Sequence, residues 1–337
     1  ENVALAQRII LLKAYKKKIA NNYLKYHFAS SFGKSELWSN ATGSTALGIK
    51  ADRFYATRLL VPLLEEQEAI TTFLDRKTAE LDELIQLKER QIELLGAKRQ
   101  ALISHAVTRG LDPSVKLRPS GIEWLGEIPA HWQVTRLKFI AQLQTGLTLG
   151  KEYKDRETVT RPYLRVANVQ DGFLDLETIT TISVPEEEAA KCELKSGDVL
   201  MTEGGDLDKL GRGHLWAGQI EGCLHQNHIF AVRPDQAQLD SLYLSYLMAS
   251  WYGKNYFTST GQQTTNLATT NSTKLMNFPL LLPPLQEQKV ILERLGQETR
   301  SLDRVMQTMR SQVDKLREYR QALISAAVTG KIDVRGV

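Results

Sequence analysis

The sequence predicts an α+β protein in which globular mixed α/β domains are joined by two long antiparallel coiled-coil helices with pseudo-two-fold symmetry. Three observations carry this prediction: a gapless internal repeat, a heptad-like apolar pattern inside each copy of the repeat, and a mixed α/β segment between the copies. Such a repeat indicates a molecule built from two like halves, so we expect its partner to be two-sided as well.

The repeat aligns residues 59–112 with residues 280–333 at a constant offset of 221, with 24 identities in 54 positions. The shared motifs are Leu-Leu-x-Pro at the start, Glu-Gln a few residues later, and Arg-Gln-Ala-Leu-Ile-Ser at 99–104 and 320–325. We interpret these two stretches as two copies of one element, each forming a long helix.

Weaker similarity continues upstream of the first copy at an offset of 220, where Tyr23-Leu24 matches Tyr243-Leu244 and Gly33-Lys34 matches Gly253-Lys254. Small changes of offset are expected at loops, which absorb insertions. Residues 1–58 are therefore interpreted as the C-terminal remnant of a domain whose complete copy follows the first repeat. By this alignment the first domain would begin roughly 110 residues before Glu1, so we expect the chain to be a fragment.

Apolar or small residues recur within each copy at alternating steps of three and four, which predicts a coiled-coil seam. The seam positions are Leu74, Thr78, Leu81, Ile85, Ile92, Leu95, Leu102 and Ala106 in the first copy, and Leu295, Thr299, Leu302, Met306, Met309, Val313, Leu316, Leu323 and Ala327 in the second. Lys88 interrupts the first seam, and Arg99 and Arg320 occupy equivalent polar positions. Polar seam residues can fix register, which is our hypothesis for these.

Each predicted helix is bounded by a proline before it and a glycine after it, at Pro62 and Gly110 and at Pro283 and Gly330. A helix of about 40 residues is roughly 60 Å long. Intramolecular antiparallel pairing would place the two domains at opposite ends of such a ruler. The alternative is that the helices mediate dimerisation between chains.

The complete globular domain, 113–279, alternates short strand-like runs with glycine-rich turns. We predict strands at 163–169, 198–202 and 229–232 and a helix at 240–252. The polar loop 259–271 lacks large apolar groups except Leu267, so packing does not explain it. Its glutamine, asparagine and threonine side chains are typical of base-edge or phosphate recognition.

The composition is that of a folded protein with 43 basic and 39 acidic residues and a net charge of +4, which permits a nucleic-acid partner without requiring one. No apolar run is long enough to cross a bilayer, and no signal sequence is evident, so we expect a cytoplasmic protein. Two cysteines, Cys192 and Cys223, are too few for a disulfide framework.

Catalytic motifs are weak throughout. The segment Leu282–Leu285 lacks the amide or carboxylate that an adenine methyltransferase motif needs, and Glu193-Leu194-Lys195 has no clear partner for a nuclease site. The set Cys223, His225 and His228 is poorly spaced for zinc, and the glycines of 204–213 lack the Gly-Lys-Ser/Thr of an ATP-binding loop. We therefore predict neither catalytic residues nor a metal site.

Several motifs together resemble those of the specificity (S, HsdS) subunits of type I restriction-modification systems. These motifs are SGIEWLGEIPAHW at 120–132, PYLRVANVQDG at 162–172, LKSGDVLMTEGG at 194–205, HQNH at 225–228, and the two P-x-x-E-Q and RQALIS repeats. The resemblance implies target recognition domain 1 ending within 1–58, helical region 1 at 59–112, target recognition domain 2 at 113–279 and helical region 2 at 280–337.

The resemblance also implies a function. A member of this family is non-catalytic: it binds a bipartite double-stranded DNA target, each recognition domain binding one half. Its paired helices set the gap and dock two methyltransferase (M) subunits, and restriction/translocase (R) subunits then join. No cofactor is expected in this chain, while S-adenosylmethionine, ATP and Mg are expected on the partner subunits.

We select DNA-contacting candidates from the polar loops. Lysine and arginine suit phosphates or guanine, and asparagine and glutamine suit adenine edges. The candidates are Thr145, Lys151, Lys154, Arg165, Asn168, Arg212, Asn227, Gln262, Gln263, Thr264 and Asn266, with Lys34, Ser44 and Thr45 in the remnant domain. Two other hypotheses stay open from the residues: the recognition portion of a single-chain restriction-modification enzyme, and a coiled-coil scaffold that binds only protein.

Overall fold

The computed structural model describes residues 10, 12, 14–15, 17–43, 48–150, 153, 156–205, 210–263 and 268–335, with Gln263 described by its backbone alone. The chain divides into two compact units. Unit 1 comprises Glu1–Leu95 and Arg304–Val337, and unit 2 comprises Gly96–Asp303. Each unit contains a globular part and a segment of each long helix. Among the described helices, none combines the length and apolar character that a membrane span requires.

The helices confirm the predicted α+β class. They are α1 (Asn21–Ala29), α2 (Ser31–Ser39), α3 (Ala51–Phe54), α4 (Leu64–Arg109), α5 (Glu186–Cys192), α6 (Ser241–Ala249), α7 (Trp251–Thr260), α8 (Ser272–Met276) and α9 (Leu285–Val328). The long helices α4 and α9 have 46 and 44 residues and coincide with the two copies of the repeat. The four domain boundaries given above stay predictions.

All strands formed by the described residues lie in unit 2. They are β1 (Leu117–Pro119), β2 (Glu127–Pro129), β3 (Gln133–Arg136), β4 (Ala141–Thr145), β5 (Val159–Leu164), β6 (Thr180–Val184), β7 (Val199–Thr202), β8 (Gly204–Gly205), β9 (Gly213–Leu215), β10 (Leu224–His225), β11 (Ile229–Pro234), β12 (Gln262–Gln263), β13 (Ala268–Thr269) and β14 (Pro279–Leu282). A four-stranded antiparallel sheet has the order β4-β11-β7-β9, and a three-stranded sheet has the order β10-β5-β6. A small sheet, β12-β13-β8, joins the polar loop to the strand that follows β7.

The main core of unit 2 is aromatic and lies between the four-stranded sheet and α6 and α7. Trp132, Tyr243, Tyr252, Phe257 and Phe278 are at most 1% exposed, and the rings of Phe257 and Phe278 stack at 5.7 Å. Apolar residues of both long helices, Ile103 and Val107 of α4 and Ile291 and Leu295 of α9, belong to the same core. The helices are therefore part of the domain's core.

Two element predictions need correction. The predicted helix 240–252 ends at Ala249, because Ser250 adopts an extended backbone and its hydroxyl accepts the Gly253 N–H at the start of α7. The predicted strand 163–169 ends at Leu164, because Val166–Asn168 form a 3-10 turn that the Asn168 side chain closes.

Unit 1 repeats the arrangement of α6 and α7 with α1 and α2. The Ser30 hydroxyl accepts the Gly33 N–H at the start of α2, as Ser250 does for α7. A Cβ on Gly33 would lie 2.1 Å from the His27 carbonyl oxygen, and a Cβ on Gly253 would lie 2.3 Å from that of Met248, so both positions require glycine. The weak upstream similarity thus corresponds to a duplicated helix pair.

The segment 59–61 of unit 1 corresponds to β14 in unit 2 but has no strand partner among the described residues. Both segments accept a tyrosine hydroxyl, from Tyr23 to the Leu60 carbonyl at 3.0 Å and from Tyr243 to the Leu281 carbonyl at 3.2 Å. The difference is the pairing of β14 with β3. Accordingly Leu59 is 37% exposed, whereas its counterpart Leu280 is fully buried.

Ion pairs show that the long helices run antiparallel within unit 1. Arg320 donates to both carboxylate oxygens of Asp82 at 2.8 and 3.0 Å, and Arg317 binds Glu89 at 2.6 Å. Lys88, which interrupts the seam, donates to Gln312 at 2.8 Å. The polar seam residues therefore have partners on the other helix, and partners of this kind exist in only one register.

Unit 2 contains the counterpart of the Arg320–Asp82 pair. Arg99 of α4 lies 2.9 Å from Asp303 of α9. These positions match Arg320 and Asp82 at the repeat offset of 221, so the same pair occurs twice, with the arginine on α9 in unit 1 and on α4 in unit 2. Buried threonines also correspond: Thr78 and Thr299 donate to the carbonyls of Leu74 and Leu295, each at 2.7 Å. The predicted repeat is thus present in side-chain contacts as well as in sequence.

A buried glutamine lies in the first turn of each long helix, Gln67 in α4 and Gln288 in α9. In unit 1, Gln67 accepts the Ala20 N–H at 2.9 Å and donates to the carbonyls of Lys18 and Pro62 at 3.0 and 2.8 Å. In unit 2, Gln288 accepts the Asp240 N–H at 2.9 Å. Its amide nitrogen donates to the carbonyls of Gln238 and Pro283, at 2.8 and 2.9 Å. Both glutamines are 0% exposed.

A buried histidine lies beside the four-stranded sheet. His225 is 0% exposed, its Nδ1 lies 3.0 Å from the Ile229 carbonyl, and its Nε2 lies 3.1 Å from the Gln144 amide nitrogen. A neutral ring that donates from Nδ1 and accepts at Nε2 satisfies both contacts. Burial lowers the pKa of His225 from 6.5 to about 4.

Replacing Gln288 by alanine should lower the free energy of unfolding by about 3 kcal/mol, because the change leaves the buried Pro283 carbonyl without a partner and removes two further hydrogen bonds, to the Asp240 N–H and the Gln238 carbonyl. The control is Gln286→Ala, an exposed residue on the first turn of the same helix. Urea unfolding of the two variants measures the difference. Equal midpoints would show that the buried amide contributes nothing.

The His225 side chain should also make stability depend on pH. Its folded pKa is the lower one, so the unfolded chain takes up a proton first as pH falls. The free energy of unfolding should therefore drop by about 3 kcal/mol between pH 6.5 and pH 4 on account of this residue. In His225→Gln this part of the slope should vanish, while the contributions of His27 and His214, whose pKa values burial also lowers, remain. Identical slopes in both proteins would contradict this assignment.

Candidate nucleic-acid interface

The HQNH segment lies between the ends of two strands of unit 2. The Gln226 N–H donates to the Leu164 carbonyl at the end of β5, and the Asn227 N–H donates to the Leu147 carbonyl beyond β4, both at 2.9 Å. A Cβ on Gly146 would lie 2.1 Å from the His225 carbonyl oxygen, so glycine is required for this approach. The loop that carries Asn227 is therefore held on both sides by main-chain contacts.

Glu203 connects this loop to the small sheet. Its N–H donates to the His228 carbonyl at 2.9 Å, and its own carbonyl accepts the Thr270 N–H at 2.8 Å. The following strand, β8, pairs with β13, and β13 pairs with β12, which contains Gln262 and Gln263. Segments separated by about sixty residues of sequence are thereby joined through one residue.

Two half-buried arginines flank the same region. The Thr202 N–H donates to the Arg212 carbonyl at 3.0 Å, and the Arg212 guanidinium donates to Gln170 at 3.4 Å. Arg165 follows β5, and its Nε, like that of Arg212, is buried without a hydrogen-bond partner in the structure. A guanidinium retains donors at both terminal nitrogens. These two cations can therefore bind an anionic or carbonyl-bearing ligand.

The structure joins the loops and strands that carry four candidates of unit 2: Arg165, Arg212, Asn227 and Gln262. The connections are main-chain hydrogen bonds of the loops and of the small sheet. We call these residues, with Glu203 and His228, the polar face; Gln263 stays a candidate that the structure describes by its backbone alone. The polar face combines two cations, two amides, one carboxylate and one imidazole, which is the mixture of donors and acceptors that nucleic-acid interfaces use.

Thr145 lies nearby but in a different setting. It is exposed at the end of β4 and lines a cavity of about 510 Å³ together with Gln142, Lys191 and Arg233. Its main-chain carbonyl accepts the Cys192 thiol at 3.5 Å, and its side chain is accessible. Thr145 stays a candidate at the margin of the polar face.

Asn168 is removed from the candidates by its surroundings. It is 4% exposed; its oxygen accepts the Arg165 N–H at 2.8 Å, and its nitrogen donates to the carbonyls of Asp175 and Thr178. These contacts use the amide to close the 3-10 turn. Asn168 therefore positions the backbone of Arg165 and does not present an amide to a ligand.

Lys34 belongs to unit 1, where its ammonium group donates to Gln321 of α9. Its counterpart in unit 2, Lys254, donates to Asp171 at 2.6 Å. Lys34 is exposed and stays a phosphate candidate, while Lys254 is half-buried. Six further candidates lie outside the described residues: Lys151, Lys154, Thr264, Asn266, Ser44 and Thr45.

The side chains of Cys223, His225 and His228, whose spacing is poor for zinc, do not come together in the structure. Cys223 is buried, its thiol lies 3.6 Å from the Leu224 carbonyl, and burial raises its pKa to about 12. His225 faces the core, whereas His228 lies 2.6 Å from the Glu203 carboxylate. In the part of the chain that the structure describes, no three His, Cys, Asp or Glu side chains are grouped to hold a metal.

Sequence reasoning missed Glu203 and His228 as members of the polar face. Both lie inside motifs that carried the family resemblance, EGG and HQNH, but their contact spans 25 residues and is not visible as a local pattern. The available signal was a carboxylate and an imidazole placed among glycines and amides, where packing does not require them.

Comparison with known proteins gives this geometry a context. The family model described as type I restriction modification DNA specificity domain matches residues 1–94 and 129–314, more than half of the chain. The chain is 25% identical over 320 residues to the type I restriction enzyme StySPI specificity subunit of Salmonella potsdam, covering 94% of this chain and 66% of the relative.

A second relative is the type I restriction enzyme MjaVIII specificity subunit of Methanocaldococcus jannaschii, 26% identical over 343 residues, with 99% of this chain and 75% of the relative covered. Across the curated relatives the chain spans between 47% and 75% of their length.

A solved structure from a study of complex assembly and conformational transition of the type I R-M system matches with a TM-score of 0.71 at 18% identity. It covers 95% of this chain and 74% of its own, a likeness that shows the fold. The chain therefore belongs to the type I restriction modification DNA specificity domain family.

Proposed function

We propose that this chain acts as the DNA sequence-specificity subunit of a type I restriction-modification complex. In this role it binds a bipartite double-stranded target and docks methyltransferase and restriction subunits. The observation that supports the proposal is the polar face: its arginine and amide side chains belong to distant segments that main-chain hydrogen bonds join, in a protein from a DNA specificity family. Burying these charged and amide side chains without partners would cost free energy, so packing of the core does not explain their presence.

The polar face supplies both kinds of contact that sequence-specific DNA binding needs. Arg165 and Arg212 can neutralise phosphates or bind guanine in a bidentate manner, while Asn227, Gln262 and Gln263 can bind adenine edges. Because main-chain bonds hold the loops, these side chains are presented with little ordering cost on binding. In our proposal unit 2 recognises one half-site, and the globular part of unit 1 contributes to the other.

In our proposal the long helices α4 and α9 also have a role: they set the gap between half-sites and dock the partner subunits. Ion pairs such as Arg320–Asp82 and Arg99–Asp303 fix the register of the two helices. A fixed register makes the gap between half-sites a property of helix length. Outward helix faces would dock the methyltransferase and restriction subunits, which would carry S-adenosylmethionine, ATP and Mg, and this chain would perform no chemistry itself.

Arg212→Gln should weaken binding to all DNA sequences and reduce the slope of log affinity against log salt by about 0.9, the effect of losing one phosphate contact. Fluorescence anisotropy over a series of salt concentrations, with the chain assembled with its methyltransferase, measures this slope. Arg161→Gln is the matched control, because Arg161 is an arginine of the same unit whose guanidinium is bound to Glu186 at 2.9 Å.

The slope should stay at the parental value in Arg161→Gln. A parental slope in Arg212→Gln as well would remove Arg212 from the phosphate contacts. Absence of any salt-dependent DNA binding by the parent complex would refute the proposed function and favour a scaffold that binds only protein.

A further inference from the structure

Glu203 is the one carboxylate of the polar face. Its main chain is fixed on both sides, by its N–H to His228 at 2.9 Å and by its carbonyl to Thr270 at 2.8 Å. Its side chain is 32% exposed, so the carboxylate reaches solvent at a position that the backbone determines. Because its backbone is fixed, the Glu203 carboxylate can form a hydrogen bond with one particular atom of a ligand.

The carboxylate is held by an exposed partner. His228 Nδ1 lies 2.6 Å from Glu203 Oε2, and the His228 side chain is 55% exposed. His228 Nε2 in turn lies 3.4 Å from the Asn227 amide nitrogen. One contact of this kind leaves the carboxylate with acceptor capacity, because two carboxylate oxygens accept up to about four hydrogen bonds.

Stability does not explain this carboxylate. An ion pair with a half-exposed histidine contributes at most about 1 kcal/mol. The buried pair of the same unit is different: Asp198 is 0% exposed, and Arg233 donates to both its oxygens at 2.7 Å. Among the residues that the structure describes, no arginine binds Glu203, so its partly exposed carboxylate is available to a ligand.

A carboxylate on a DNA-facing surface selects what it contacts. Phosphates and the carbonyl oxygens of guanine and thymine are acceptors and repel it, whereas an exocyclic amino group donates to it. In the major groove the standard partner of a glutamate is the N4 amino group of cytosine.

We propose that Glu203, positioned by His228, is a specificity-determining residue that accepts a hydrogen bond from the cytosine N4 amino group in the target. The inference rests on the proposed DNA-binding function and assigns a base class to one position of the half-site bound by unit 2. Glu203 makes the base contact, and His228 acts as a positioning residue that restricts the carboxylate to one rotamer.

The test compares sequence selection by the parent, Glu203→Gln and a control. Each protein, assembled with its methyltransferase, selects from a library of randomised duplexes, and bound sequences are counted. For Glu203→Gln, preference for cytosine at one position of one half-site should fall by about ten- to a hundredfold. Affinity for duplexes that lack cytosine at this position should rise in general, because a negative charge near phosphates is lost, whereas affinity for the parental target should fall.

The control Glu221→Gln makes the same charge change at an exposed turn of unit 2 outside the polar face, and it should leave the selected sequence unchanged. Glu203→Asp is a second variant. It keeps the charge but withdraws the carboxylate by one methylene group, so selectivity at the same position should fall without the general rise in affinity.

His228→Ala should keep cytosine as the preferred base with reduced selectivity, which a purely structural role of Glu203 would not produce. Selection by Glu203→Gln identical to the parent, at equal thermal midpoints, would overturn the inference while leaving the proposed function intact. A parent that selects no sequence would instead refute the proposed function itself.

Discussion

The buried amide at the start of each long helix is the contact on which the rest of the architecture depends. Gln67 and Gln288 each bind three main-chain groups, and these belong to the segment before α1 or α6 and to the proline turn before α4 or α9. Since both glutamines are fully buried, water cannot substitute for these bonds. The Gln67 amide therefore fixes the segment before α1 to the start of α4, and the Gln288 amide fixes the segment before α6 to the start of α9.

A second constraint places the polar face. Close main-chain approaches at Gly146 and Gly213 bring adjacent strands and loops within van der Waals distance, where a Cβ would lie about 2 Å from a carbonyl oxygen. In the same unit Arg233 donates to Asp198, and His225 contacts the Ile229 carbonyl, so these polar side chains have partners within the fold.

Much of the fold was predictable because the sequence repeats itself. The offset of 221 identified both long helices, and their antiparallel course followed from two seams in one chain. The ion-pair partners were not predicted, since Asp82 and Asp303 lie on the helix opposite their arginines, more than two hundred residues away. The helix break at Ser250 could have been found: Ser30 stands at the matching position, and serine is a strong N-cap residue.

The site was less predictable than the fold, for a physical reason. A polar residue in a loop either satisfies nearby backbone or faces a ligand, and the sequence does not distinguish these roles. Asn168 lies inside the predicted strand 163–169 and Asn227 just before the predicted strand 229–232, yet one closes a turn and is buried while the other is half exposed. The Glu203–His228 contact likewise depends on main-chain pairing between loops that only the folded chain brings together.

The most direct test of the account is to express the chain with its neighbouring methyltransferase in a methylation-free host and to map modified bases across the genome. The account predicts one bipartite motif with an unspecified gap of constant length, because two recognition surfaces are joined by helices of fixed register. Modification at a single uninterrupted motif, or no modification from a stable complex, would contradict it.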